Sequence, residues 1–167
     1  LDGVGPGNEV DLSNAHPVLY PDVSWLGRVI NAMGEPVDGK GPLKKGKIPC
    51  LIHASPPPAN SRERVAGKAD LGVRAINTFL TLCKGQRMGI FAGSGVGKSS
   101  LMAMMARHTQ LDVTVLGLIG ERGREAREFI EDDLGVEGMK RSVVVVATSD
   151  ESPLMRRQAA YVAMTVA

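Results

Sequence analysis

The residues Ala92-Gly93-Ser94-Gly95-Val96-Gly97-Lys98-Ser99 place a small residue, four free positions, then Gly-Lys and a hydroxyl side chain in a row. That spacing suits the polyphosphate of a nucleoside triphosphate, here read as ATP with Mg²⁺. Gly93, Gly95 and Gly97 carry no Cβ, so the chain can turn tightly and aim successive backbone N–H groups inward. A helix beginning near Lys98 adds its own unpaired N–H groups, including that of Ser100, and the positive end of its dipole. Lys98 brings a mobile full charge for the β- and γ-phosphates, and the Ser99 hydroxyl is a ligand of the type Mg²⁺ takes. The backbones of Ser94 and Val96 complete the expected cradle. Hydrolysis needs more than a cradle, and Glu121 is the candidate to polarise an attacking water. Arg122 beside it is a candidate to order the γ-phosphate or to pair with a carboxylate.

These groups meet only if the elements around them bring them to one edge. Arg87–Ala92 reads as a buried strand and the segment from Ser99 to His108 as a helix whose Met102, Met104 and Met105 fill a core. Val113–Ile119 reads as the next strand, with the polar turn Gly120–Gly123 at its C-terminal end. Arg124–Leu134 reads as a charged helix with Ala126, Phe129, Ile130 and Leu134 on its apolar side. Val143–Ala147 is almost purely β-branched, as suits a parallel strand buried on both faces. Ser152-Pro153 then opens a last helix, Ser as N-cap and Pro at the first helical position. Upstream, Val73, Ile76, Phe79 and Leu80 have helical spacing over Val73–Leu82, followed by a turn at Lys84-Gly85-Gln86. This strand–helix alternation predicts an α/β fold with a mostly parallel sheet flanked by helices. Ligands of such sheets sit beyond the carboxyl ends of the strands, where both polar turns fall.

The first ~60 residues have a different texture, with closely spaced Gly and Pro between short apolar pieces such as Leu26–Ile30. They read as short strands and turns, with turn chemistry at Gly34-Glu35-Pro36 and Asp38-Gly39-Lys40-Gly41. Lys44-Lys45-Gly46-Lys47 reads as a solvated loop, and Pro56-Pro57-Pro58 as a stiff connector. With 167 residues the chain suits one ordinary domain, and 43% hydrophobic residues suffice for a core. The 20 basic and 18 acidic residues nearly cancel, which argues against a broad nucleic-acid surface. Cys50 and Cys83 form no Cys-x-x-Cys and read as small buried or half-buried hydrophobes, while His16, His53 and His108 are too scattered for metal-ligand spacing. No apolar run approaches the ~18–20 residues of a membrane span. The chain opens Leu1-Asp2, without Met or a signal segment, and reads as a piece of something longer.

Gly89–Ser99 followed by Ile119-Gly120-Glu121-Arg122-Gly123-Arg124-Glu125 resembles the ATPases of bacterial type III export, in particular the flagellar export ATPases. Ala147–Arg156 (Ala-Thr-Ser-Asp-Glu-Ser-Pro-Leu-Met-Arg) and the Gly27–Gly41 stretch extend the likeness across nearly the whole chain. Injectisome ATPases and the catalytic subunits of rotary ATP synthases are similar in turn. The resemblance implies a P-loop, RecA-like core at 72–167, a hinge and linker at 23–71, and the end of a small N-terminal β-barrel at 1–22. It implies a homohexamer that hydrolyses ATP at subunit interfaces, at the cytoplasmic face of an export apparatus. Apparatus proteins, export substrates and chaperones would be its partners, with peripheral membrane association and no specific nucleic acid. Lys98 and Ser99 take their phosphate-loop roles, Glu121 becomes the water-polarising carboxylate, and Arg122 matches the arginine that follows it. Arg156 matches a position near the phosphate in the synthase relatives, and Asn77 stands where many relatives have Asp. The family's strand ending in a Mg²⁺-organising Asp has no counterpart after the phosphate loop, so weak or absent turnover is expected of this chain alone. Other classes compatible with the loop are a rotary synthase subunit, a ring-shaped nucleic-acid motor and a purely regulatory nucleotide-binding module.

Overall fold

The structure is a computed structural model and describes residues 5–9, 11, 17–93 and 95–167. Ser94, His16 and much of the expected barrel end at 1–22 lie outside the described residues. In chain order the elements are β1 (Val18–Leu19), β2 (Val29–Ile30), β3 (Cys50–Leu51), β4 (Ala66–Ala69), α1 (Arg74–Phe79), β5 (Leu82–Lys84) and α2 (Lys98–His108). There follow β6 (Thr114–Ile119), α3 (Gly123–Glu128), a π-helical stretch (Phe129–Leu134), α4 (Gly135–Met139), β7 (Ser142–Ala147) and α5 (Pro153–Val166).

The valine run of β7 is the axis of the fold. Side chains alternate across a strand, so a run apolar at every position must be covered on both faces. Val143, Val145 and Ala147 pack on one side with Trp25, Ile30, Ala32, Ala159 and Val162. Val144 packs on the other with Ala103, Ala106, Leu116, Leu118, Ala126, Phe129 and Leu134. Each such fully buried aliphatic side chain contributes roughly 1.5–3 kcal/mol. β6 runs parallel to β7 from Thr114 opposite Ser142 to Ile119 opposite Ala147. On the far edge β2 is also parallel to β7, with Val29 opposite Val144, so the sheet order is β2-β7-β6. This is a mixed α/β arrangement with a parallel sheet.

The Gly- and Pro-rich first part contributes a strand to that sheet, and polar contacts hold it there. Arg28 and Asp38 form a two-point ion pair, Nε–Oδ2 at 2.7 Å and Nη2–Oδ1 at 3.0 Å. The Asp38 carboxylate also accepts the Val29 and Lys40 N–H groups, making the turn expected at 38–41. The Arg28 guanidinium is the main cause that holds the Asp38 carboxyl well below the usual carboxylate range. Trp25 is buried with its indole N–H donating to Lys44 O at 2.7 Å, while the Lys44 and Lys45 side chains stay in solvent.

Three expected elements come out differently. Arg87–Ala92, expected as a buried strand, forms no ladder with any described strand, and Phe91 is 97% exposed. A strand exists only where its backbone groups meet a partner, and the described sheet ends at β6. The helix expected over Val73–Leu82 ends at Phe79, because Leu82 instead pairs with Ala69 in the antiparallel β4–β5 ladder. Only Val73 and Ile76 of its apolar set are buried, while Phe79 and Leu80 face solvent. The helix expected over Arg124–Leu134 starts at Gly123, widens to a π stretch at Phe129 and continues to Met139. Phe129 and Leu134 are both buried by this route.

Asn77 acquires a physical role. Its amide donates to Asp70 Oδ1 at 2.6 Å while its oxygen accepts the Leu71 N–H at 3.1 Å. Asp70 O in turn accepts from the Thr109 hydroxyl and the Gln110 N–H, tying α1 to the end of α2. The Gly72 N–H, and after it the Asn77 amide, hold the Asp70 carboxyl below its ordinary value. An aspartate at 77 would face Asp70 with a like charge instead of a donor.

Candidate phosphate-binding site

The loop before α2 is built by its glycines. Gly95 (φ 75°) and Gly97 (φ 94°) lie in the left-handed region, where a side chain is strained whatever space surrounds it. Gly97 is the N-cap of α2, and the first helical bond runs from Leu101 N to Gly97 O at 2.9 Å. Among the described residues no side chain caps this terminus, and its first turn, Lys98-Ser99-Ser100, carries no acid. The result is a helix end with free N–H groups and a positive dipole, the arrangement that binds anions.

The opposite wall comes from the ends of two parallel strands. After β6 the chain turns at Gly120 (φ 78°), whose N–H donates to Ala147 O at 2.8 Å. Ser149 N donates to Glu121 O at 2.9 Å, so the loops following β6 and β7 are stapled together at Glu121. From this support the Glu121 carboxylate reaches Lys98 Nζ at 3.2 Å, both side chains being partly exposed. Two residues expected to act together from separate loops are thus brought into contact.

Beside them is a hollow of about 20 Å³ lined by Ser99, Met102, Leu118, Glu121, Glu125, Ala126 and Phe129. It has room for about one water. Glu125, not singled out in the sequence, joins it from the first turn of α3, and because Glu121 lies before the extended N-cap Arg122, no helical spacing pointed to it. The Arg122 guanidinium is exposed and paired with Glu125 at 3.2 Å. Arg156, in the first turn of α5, lies against the loop: a Cβ on Gly120 would meet its Nη1 at 3.9 Å. Its Nε is buried without a hydrogen-bond partner among the described residues. Among the described residues no group of three or more His, Cys, Asp or Glu side chains is placed to hold a metal. A hydroxyl with carboxylates nearby fits a hard cation that takes its remaining oxygens from phosphate and water, as Mg²⁺ does.

A larger cavity lies elsewhere. It measures about 840 Å³ and runs between the Leu26–Lys40 segment and the helix from Ala126 to Met139, touching neither Lys98 nor Glu121.

Residues 72–167 match the family model described as "ATP synthase alpha/beta family, nucleotide-binding domain". The chain belongs to the ATP synthase alpha/beta family. Within this family it is 57% identical over 166 residues to the flagellum-specific ATP synthase of Caulobacter vibrioides, covering 99% of this chain and 37% of that protein. It is 52% identical to the flagellum-specific ATP synthase of Bacillus subtilis, over 98% of this chain and again 37% of the relative. Among solved structures, the assembled ATPase EscN of the enteropathogenic E. coli type III secretion system matches with TM-score 0.86 and 38% identity. That match covers all of this chain and 40% of EscN. EscN in complex with its central stalk EscO matches with TM-score 0.88 and 38% identity, covering 100% of this chain and 41% of that one. The chain therefore spans little more than a third of the length of these flagellum-specific relatives.

Proposed function

We propose that this chain carries the ATP-binding and ATP-hydrolysing core of a protein-export ATPase. Membership of the ATP synthase alpha/beta family supports it, together with relatives named for the flagellum and for type III secretion. The observation that carries the chemistry is the meeting of Lys98 and Glu121 at an uncapped helix N-terminus. In this reading 72–167 is a P-loop, RecA-like core, 23–71 a hinge whose β2 joins the core sheet, and 1–22 the end of a small N-terminal barrel. The whole protein would act as a homohexamer at the cytoplasmic face of the apparatus, with apparatus proteins, substrates and chaperones as partners.

The backbones of Gly93 through Gly97, with the N–H groups of Lys98, Ser99 and Ser100, would wrap the β- and γ-phosphates. The Lys98 ammonium would neutralise their charge as it shifts in transfer. Mg²⁺, held through the Ser99 hydroxyl, would supply further charge neutralisation on the phosphate oxygens. Glu121, beside a hollow of one-water size, would accept the proton of the attacking water, giving ADP and inorganic phosphate. Arg122 would have to leave Glu125 to meet the γ-phosphate. Arg156, with a buried donor unspent next to Gly120, is placed to respond to an anion at the same edge.

Calorimetry with ATP and Mg²⁺ on this chain, with turnover recorded on the whole hexameric protein, tests this. Lys98→Ala is expected to weaken binding by about 10- to 100-fold, the worth of a charge-assisted hydrogen bond. Glu121→Gln is expected to bind well but to turn over about 10²–10⁴-fold more slowly. Undiminished affinity in the first variant would refute the phosphate loop; undiminished turnover in the second would remove Glu121 as the base.

A further inference from the structure

The Lys98 ammonium is the group that a polyphosphate needs, yet here it is engaged by Glu121 at 3.2 Å. A carboxylate and a phosphate oxygen are both anionic, so the same ammonium cannot hold them side by side without repulsion between them. The two partners are also supported unequally. Glu121 sits on a backbone pinned by the Ser149 N–H to its own carbonyl and by Gly120 to Ala147. Lys98 reaches across on a long flexible stem, so when the pair opens it is the lysine that moves.

We infer that the Lys98–Glu121 pair is a resting-state latch, which phosphate must displace and whose opening leaves the carboxylate in place and free to take a water. The latch rests on the phosphate-loop reading above and adds a competition to it. Glu121 lowers nucleotide affinity before it contributes to hydrolysis, and it does so only through Lys98.

The test is ADP binding with Mg²⁺ by calorimetry on the full chain, where no turnover intrudes. The set is wild type, Glu121→Gln, Glu121→Ala, Lys98→Gln and the double variant Lys98→Gln/Glu121→Gln, titrated to millimolar ADP. Exposed ion pairs are weak, so both Glu121 variants are expected to bind ADP about two- to fivefold more tightly than wild type. In the Lys98→Gln background, removing the Glu121 charge is expected to leave the dissociation constant unchanged, because the latch is already gone. No tightening in the single variants would overturn the latch. Equal tightening in both backgrounds would also overturn it, since that is plain repulsion between carboxylate and phosphate. If Lys98→Gln binds as well as wild type, the phosphate-loop reading itself fails, and the latch with it.

Discussion

The two walls of the candidate site are built to different standards. Glu121 stands at the end of β6, which is paired along its full length with β7, a strand buried on both faces. The loop that leads into Lys98 follows Arg87–Ala92, which pairs with no described strand and leaves Phe91 almost fully exposed. The residues before it are also lightly covered, with Val65, Phe79 and Leu80 in solvent. A carboxylate on a rigid edge thus faces a cation at the first residue of a helix that is entered through a lightly covered segment. Charge geometry at such a site is set by the rigid side, and adjustment to a ligand falls to the other.

Substitutions on the two sides can break or sharpen this contrast. The largest expected effect is Ile30→Ala. Ile30 is fully buried against Val145, and its loss is expected to cost about 3 kcal/mol by chemical denaturation. A cost below about 1 kcal/mol would mean that β2 is not part of the working core. Next comes Asp38→Asn, which removes the ionic anchor of the same strand and is expected to cost about 2 kcal/mol at neutral pH. The sign with pH follows from the lowered carboxyl. A group whose folded pKa lies below the unfolded value of about 3.9 stabilises above that pH and loses its contribution as pH falls further. Wild type should therefore lose stability on acidification below about pH 4–5 more steeply than Asp38→Asn. Parallel acid-titration curves for the two would remove Asp38 from that account. The smallest expected effect is Phe91→Ala in the 167-residue chain, within about 0.5 kcal/mol because so little of the ring is covered. A loss of several kcal/mol would show that the two walls are equally well packed after all.

Much of the candidate site was legible because its signals are local. Gly95 and Gly97 adopt the left-handed backbone that only glycine takes easily, and α2 begins at Lys98 directly after them. Ser152 caps α5 by accepting the Met155 N–H, with Pro153 at the first helical position, as the residue types alone require. The β-branched run at 143–147 suited a strand covered on both faces, and β7 is that strand. Errors arose where a partner decides. Arg87–Ala92 has the composition of a buried strand but no described neighbour, and Leu82 has helical spacing yet pairs with Ala69.

The residue types and spacings by themselves determined the left-handed turn at Gly95 and Gly97, the helix boundaries next to Gly97 and Ser152, and the burial of β7, since each depends on a few adjacent residues. Only the tertiary structure decided that β2 from the Gly-rich first part joins the core sheet. Only it decided that Arg122 pairs with Glu125 while Glu121 reaches Lys98, and that the buried Nε of Arg156 has no partner among the described residues. Those outcomes depend on which strand ends fall side by side, and the pairing energies that choose them come from residues far apart in the chain.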